Sequence, residues 1–487
     1  MEKIKTNIFS GITVAIVALP LALAFGVASG AGAAAGLYGA IIVGLFAALF
    51  GGTKTQISGP TGPMTIVMAS VLLFFNAQSP EHGMALSFTV VFLGGLFQFL
   101  FGLLHIGKYI ILVAYPVISG FMSGIGLIII FMQLGPFLGY EAGTHVIDIL
   151  ISLPKIFTSI DMVSLIVGSV TLATMYIWPD FLKRYIPSPL AAIMIGTLLY
   201  LIVFPNSDIS RIGEIALGFP SFKAQYWDFS LIIVMIKYAL LLAGLGAIDS
   251  LLTSLVADNM TGTKHNSDKE LIGQGIGNMV ASFFGALPGA GATMRTVTNI
   301  KAGGSDPISG VAHSFVLAII AFGAGGIVES IPYAALAGLL IKVGIDIIDW
   351  RFLKRLHKLP LFSQCLMASV MLITVFYDLM TAVVIGIFIT NMVTIDRLTK
   401  LQLNGVFLSD GKRNHEGLDE AEKNALIGAN GKTALLKLEG AMSFGIAEAL
   451  KHLLDDFTNH KTLIIDFGKS SIVGITATLV LEDMIKN

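Results

Sequence analysis

Gly59-Pro60-Thr61-Gly62-Pro63-Met64 lines up with Gly289-Ala290-Gly291-Ala292-Thr293-Met294, and this pairing decides the fold. Each stretch follows an apolar run ending in Phe-Gly, at Phe50-Gly51 and Phe284-Gly285, and each precedes a short segment, 61–75 or 293–302. Pro60 and Pro63 suit a helix start, where a missing N–H costs little. At ~1.5 Å per residue, neither segment crosses ~30 Å of hydrocarbon as a helix. Both therefore read as half-helices with extended lead-ins.

The surroundings are lipid. Of 487 residues, 55% are hydrophobic and 13% charged, whereas about 25% of a soluble chain is charged. Mean hydropathy is +0.83. Apolar segments of spanning length are expected at 8–28, 35–51, 84–106, 109–136, 161–178, 188–204, 232–257, 270–286, 308–328, 331–347, 360–376 and 378–394. With the two half-helices the count is fourteen. The first run is too long for a signal peptide and reads as the first span.

The positive-inside rule supports that count. With the N-terminus in the cytosol, Lys3, Lys5, Lys54, Lys264, Lys269 and the Arg351–Lys358 cluster fall inside, while Lys155, Arg211 and Lys223 fall outside. Omitting the half-helices would put Lys264 and Lys269 outside. Seven spans separate the two copies, an odd number, so the copies have opposite topology. Inverted repeats with paired broken helices point to a midplane binding site.

The net charge of −1 offers no electrostatic case for nucleic acid. No phosphate loop, nucleophile elbow or zinc-ligand spacing appears, so an ATP-driven pump or an enzyme has no support. The single cysteine, Cys365, is expected to be a small buried hydrophobe.

A helix N-terminus exposes unpaired N–H groups and roughly half a positive charge. Two such ends, near Thr61 and Thr293, would make an anion site, with glycines such as Gly59 letting the backbone approach a small ligand. Asp249 lies mid-span, where a carboxylate is costly and defaults to function. Thr253 is four residues on, on the same face. Carboxylate, hydroxyl and carbonyl oxygens suit a bare cation such as Na⁺. Arg295 could add charge near the anion, pair with a carboxylate or snorkel. Gln98 and Gln133 read as interhelical hydrogen-bonding residues, Asp258 as a solvated span end, and His105, His313 and His357 as span-end residues.

After Arg397 the chain turns polar. Strands are expected at Thr433–Leu438 and Thr462–Phe467, helices at Ala447–Phe457 and Thr476–Ile485, and a linker at Ser409–Gly431. This reads as a small α/β domain.

Ala18 through Gly30, Gly59 through Thr65, Ile118 through Gly126 and Asn278 through Gly304 resemble the SulP anion transporter family, and the tail from about 400 resembles its cytosolic STAS domain. Asp249 through Thr253, Asn266 through Asn278 and Val343 through Trp350 are especially similar to the cyanobacterial sodium-dependent bicarbonate members. The resemblance implies a transport domain at 1–396 and an incomplete STAS domain at 397–487. The former would be an all-α polytopic domain, a 7+7 inverted repeat forming core and gate domains that move in an elevator cycle. It also implies a homodimer in a bacterial inner membrane with both termini cytoplasmic. By residue match, bicarbonate would contact Thr61, Ala292 and Thr293, with Gly59 and Arg295 adjoining. Na⁺, as coupling ion, would take Asp249, Thr253, Gly291 and Thr293. Arg295 departs from the glycine of the cyanobacterial members, and Ser58 from an acidic residue. Both changes make the site more positive. They keep open a H⁺-coupled symporter or an exchanger for sulfate, a dicarboxylate or chloride. An anion channel and a membrane-tethered sensor are further alternatives.

Overall fold

The computed structural model describes residues 2–108, 114–140, 146–158, 160–183, 186–212, 220–323, 329–377, 379–403, 405–409, 418–429, 432–442 and 461–486. The chain falls into two compact units, Met1–Val384 and Ile385–Asn487.

Among the described residues, the first unit has as its regular elements helices and one two-stranded element. In chain order it comprises α1 (Glu2–Ala28), α2 (Ala33–Phe50), β1 (Ser58–Gly59), α3 (Gly62–Gln78), α4 (Gly83–Leu103), α5 (Tyr115–Phe137), α6 (Val146–Thr158), α7 (Met162–Ile177), α8 (Asp180–Lys183), α9 (Ser188–Val203), α10 (Ile232–Thr261), α11 (Ser267–Ser282), β2 (Ala290–Gly291), α12 (Thr293–Lys301), α13 (Ile308–Gly323), α14 (Tyr333–Ile347), α15 (Trp350–Leu353) and α16 (Leu361–Phe376). The next helix, α17 (Leu379–Leu403), contains the division between the units. Among the described residues, six helices are long and apolar enough to cross a membrane: α1, α2, α4, α5, α10 and α17. Four more apolar helices, α3, α9, α13 and α16, are shorter. Residues 109–113 and 324–328, parts of two expected spans, lie outside the described residues.

The helices sort into two bundles. One contains α1, α2, α4, α10, α11 and α13, with α3 against α4 and with α12 against α1 and α10. The other contains α5, α7, α9, α14 and α16. Each bundle takes helices from both halves of the sequence. Glycines set the spacing where α4 meets α11: a Cβ on Gly95 would stand 2.6 Å from the Met279 nitrogen, and one on Gly275 2.7 Å from the Gly95 carbonyl. Small residues permit such backbone approach in a membrane. Outward faces are apolar: Phe315, Ile319 and Phe322 on α13 and Leu198, Leu201 and Ile202 on α9 are exposed. Such faces penalise folding in water but not in lipid. Cys365 also faces outward, contrary to expectation; in lipid an apolar thiol gains little from burial.

The second unit carries a three-stranded sheet in the order β3 (Val406–Ser409), β4 (Thr433–Met442), β5 (Thr462–Val473). The first pair is antiparallel and the second parallel. Leu436, Leu438 and Met442 of β4 pack on Ala477, Val480 and Leu481 of the terminal helix, Ile475–Lys486. The expected linker holds a helix, α18 (Glu420–Gly428), because Asp419 and Glu422 form a reciprocal capping box. The terminal helix is therefore α19. The expected helix at 447–457 lies outside the described residues.

Candidate functional site

The two Gly-rich stretches meet. Ser58 pairs with Gly291, and Gly59 with Ala290, in the antiparallel element β1–β2. The Ala292 N–H donates to the Ile57 carbonyl at 2.9 Å, and the Ile57 N–H donates to Thr296 Oγ1 at 3.1 Å. From this crossing α3 and α12 start, capped by Thr61 and Ala292 in extended backbone without side-chain caps. The first-turn N–H groups at both ends thus lack intrahelical acceptors.

Both starts open on one cavity of about 320 Å³, at the small end of the ~300–1,000 Å³ usual for ligand sites. One wall is Pro60 to Pro63 with Asp249 and Gly291 to Arg295. The opposite wall, from the second bundle, is Met122 with Val343, Asp346 and Ile347. Thr61, Asp249, Gly291, Ala292, Thr293 and Arg295 are therefore gathered, as the sequence suggests. Gly59 lies behind them, against Arg295: a Cβ there would stand 2.6 Å from Nη1.

Thr253 is fully buried and donates to the Gly291 carbonyl at 3.0 Å, with Thr293 Oγ1 2.7 Å away. Three oxygens thus cluster beside β2. Asp249, one helical turn earlier, lies near the Thr61 hydroxyl, but neither Asp249 Oδ2 nor Thr61 Oγ1 closes a hydrogen bond. An unpartnered carboxylate oxygen beside hydroxyl and carbonyl oxygens is the hard donor set that Na⁺ fits.

Arg295 resolves a choice the sequence leaves open. It is 2% exposed, so it does not snorkel. Its Nη2 donates to the Pro60 carbonyl at 3.0 Å, while Nη1 has no partner. The guanidinium thus ties the lead-in of one half-helix to the body of the other.

A polar scaffold missed by the sequence reading holds the crossing. Glu270 accepts from the Gly52 and Thr53 N–H groups on one oxygen, at 2.9 and 2.8 Å. Its other oxygen accepts from Gln56 at 2.7 Å and Gln274 at 2.9 Å. Gln274 also donates to Ser58 Oγ, and Ser254 donates to Gln56 at 3.0 Å. Asn278 takes both backbone groups of Gly289, at 2.8 and 3.0 Å. It also donates to Gln98 at 2.9 Å, the interhelical role expected there. The Gly291 N–H donates to Ser250 Oγ at 3.0 Å. Polar residues spaced at one helical turn, such as Ser250–Ser254 and Glu270–Gln274–Asn278, were the available signal. Two span-end readings change. His313 is wholly buried within α13. Asp258 is mostly buried and accepts from His265 at 2.7 Å, which fixes the turn after α10. On the opposite wall, Asp346 pairs with Lys342.

Outside the membrane spans, two of the described groups are shifted. Hydrogen bonds from Ser230 hold the Asp228 carboxyl below its usual range. The bond to Glu422 raises the Lys437 ammonium above its usual value.

Comparison with known proteins agrees with this architecture. The profile of the sulfate permease family matches residues 4–370. The chain is 46% identical to the bicarbonate transporter BicA of Picosynechococcus over 100% of its own length and 87% of that protein. The solved transmembrane domain of a cyanobacterial bicarbonate transporter BicA superposes with a TM-score of 0.74 at 46% identity, covering 78% of this chain and 97% of that one. Murine Slc26a9, an anion transporter solved in its inward-facing state, shares the fold at a TM-score of 0.81 and 20% identity, over 98% of this chain and 83% of that one. This chain belongs to the sulfate permease family.

Proposed function

We infer that the chain is an anion transporter that imports bicarbonate together with Na⁺. The observation that carries this reading is one cavity receiving the starts of α3 and α12 beside the Asp249, Thr253, Gly291 and Thr293 oxygens. The anion would sit between the helix starts, held by first-turn N–H groups, the Thr61 hydroxyl and the Ala292 and Thr293 backbone. Na⁺, carried as a co-substrate, would take the oxygen set and neutralise Asp249 beside the anion. Similarity to relatives named as bicarbonate transporters supports the substrate.

The wider reading is a fourteen-span inverted repeat, both termini cytoplasmic, in a bacterial inner membrane. The two bundles correspond to core and gate domains, and the cavity between them suits an elevator cycle. The second unit is assigned as a STAS domain, with the transport domain at 1–396, and the protein as a homodimer. Uptake of labelled bicarbonate into vesicles, with and without a Na⁺ gradient, tests the coupling. Equal uptake in both would sink it, and an Asp249→Asn protein with full Na⁺ dependence would sink the residue assignment.

A second reading has one observation in its favour. The buried Arg295 adds a fixed positive charge with an unpartnered Nη1, which suits a divalent anion. A H⁺-coupled symporter or an exchanger for sulfate, a dicarboxylate or chloride would use it. Competition by sulfate or succinate against bicarbonate discriminates the two.

A further inference from the structure

The wall opposite the half-helices carries one acidic side chain, Asp346. Its placement is not explained by the helix that bears it. Asp346 lies in the last turn of α14, where the helix dipole disfavours a negative charge. The end of that helix is already held by other groups: Trp350 Nε1 donates to the Ile345 carbonyl at 2.7 Å. The Asp346 carboxylate is nevertheless fixed. Lys342 Nζ donates to both of its oxygens, at 2.5 and 2.6 Å, and lies 4.9 Å from the centre of the Tyr176 ring. Lys342 is mostly buried, while the Asp346 side chain keeps 47% exposure. The pair is therefore anchored at its lysine end and open at its carboxylate end. Two salt-bridge contacts do not exhaust a carboxylate, which has about four acceptor sites.

An ionised carboxylate accepts hydrogen bonds and donates none. Facing an anion, it is unfavourable unless the anion brings a proton. Bicarbonate carries one O–H; sulfate, chloride, nitrate and a deprotonated dicarboxylate carry none. We propose that Asp346 determines specificity by accepting the bicarbonate O–H across the cavity from the half-helix starts, so that the site selects for a protonated oxyanion. The inference rests on the bicarbonate reading above and deepens it. Lys342 is a positioning residue: it holds the carboxylate in place and balances its charge, so that Asp346 does not repel every anion alike. A hydrogen bond to a charged group changes binding by roughly tenfold or more.

Nitrate is the discriminating probe, since it is planar and monovalent like bicarbonate but has no proton. The assay is labelled-bicarbonate uptake by the full chain in vesicles, under a Na⁺ gradient, with nitrate as competitor. In the wild type, the nitrate inhibition constant should exceed the bicarbonate KM by about tenfold or more. In Asp346→Ala, which removes the acceptor, that gap should close, with the bicarbonate KM rising about tenfold. The double variant Lys342→Met/Asp346→Ala keeps the charge balance of the wild type and should behave likewise. Asp346→Glu should restore the discrimination. A wild type that takes up bicarbonate but is inhibited equally well by nitrate overturns the proposal without any variant. So does a gain of nitrate inhibition confined to the single variant, which would mean that the freed Lys342 charge is responsible. A wild type without bicarbonate uptake overturns the functional reading itself, and the specificity role with it.

Discussion

Replacing Glu270 with glutamine should weaken the protein and its transport together, because of what the carboxylate accepts. Four donors converge on it: the Gly52 and Thr53 N–H groups on one oxygen, the Gln56 and Gln274 amides on the other. A carboxylate satisfies all four as pure acceptor. A glutamine amide presents one acceptor oxygen and one donor nitrogen, so in either orientation two donors meet an NH₂ group. Each hydrogen bond to a charged partner contributes ~1.5–3 kcal/mol, so losing two costs ~3–6 kcal/mol. Removing a buried charge relieves part of its desolvation, leaving ~2–4 kcal/mol of destabilisation. The loss falls on the residues that carry the chain from α2 into β1, since Gln274 holds Ser58 and Gln56 is held by Ser254. Glu270→Gln should therefore lower the midpoint of thermal unfolding in detergent and reduce uptake at temperatures where the protein stays folded. A variant that matches the wild type in both measurements would refute the reasoning.

Thr253→Val keeps the side-chain shape but deletes the hydroxyl on Gly291 and Thr293. At ~1–3 kcal/mol, the Na⁺ concentration for half-maximal uptake should rise roughly 5- to 150-fold; an unchanged Na⁺ curve would count against the cation site. Gly59→Ala places a Cβ 2.6 Å from Arg295 Nη1 and 3.2 Å from the Ala40 Cα. Overpacking of this kind costs ~1–3 kcal/mol, so unfolding should occur at lower temperature and uptake should fall. Asn278→Leu strips both backbone partners from Gly289, with an expected loss of ~2–4 kcal/mol, read by the same thermal midpoint. Lys437 has its folded value raised by Glu422. Its contribution is full below the ordinary lysine value of ~10.4 and is lost as pH rises through the higher folded value. The stability of the second unit should therefore not vary with pH through Lys437 around neutrality, with a decline confined to strongly alkaline solution.

The lipid environment, the two half-helix starts and the Asp249–Thr253 face were legible because each leaves a local mark. These marks are long apolar runs, Gly/Pro breaks and a spacing of four. The pairing of β1 with β2 was not, since two-residue strands show no period. Nor was the scaffold around Glu270, because Gln56 and Glu270 each sit in a locally polar run, Thr53–Gln56 and Asn266–Glu270, and the two meet across 214 residues. The two half-helices also differ in length, with 17 residues in α3 and 9 in α12. After Pro63 the first copy runs on to Gln78 without a breaker, whereas Ala302-Gly303-Gly304 ends the second. In the tail, Asp419 and Glu422 carried a capping signature that the polar surroundings obscured.

A broken helix inside lipid leaves backbone groups that water cannot reach, so each must find a protein partner. Here the scaffold supplies those partners one by one. Asn278 serves Gly289, Ser250 and Thr253 serve Gly291, Thr296 serves Ile57, and Arg295 serves Pro60. Most of these polar residues thus compensate the break rather than bind substrate. What they leave unsatisfied is informative. Buried side-chain atoms without a partner occur in several places among the described residues, at Gln98, Ser119, Thr197, Asp258, His313 and Ser314 for example; Thr61 Oγ1, Asp249 Oδ2 and Arg295 Nη1 are the three that belong to residues lining the cavity. A hydroxyl, a carboxylate oxygen and a guanidinium N–H left unpaired around one cavity together cost several kcal/mol. The scaffold next door satisfies six backbone groups, two each on Gly289 and Gly291 and one each on Ile57 and Pro60. In the proposed transport cycle an anion would serve the two donors and a cation the carboxylate.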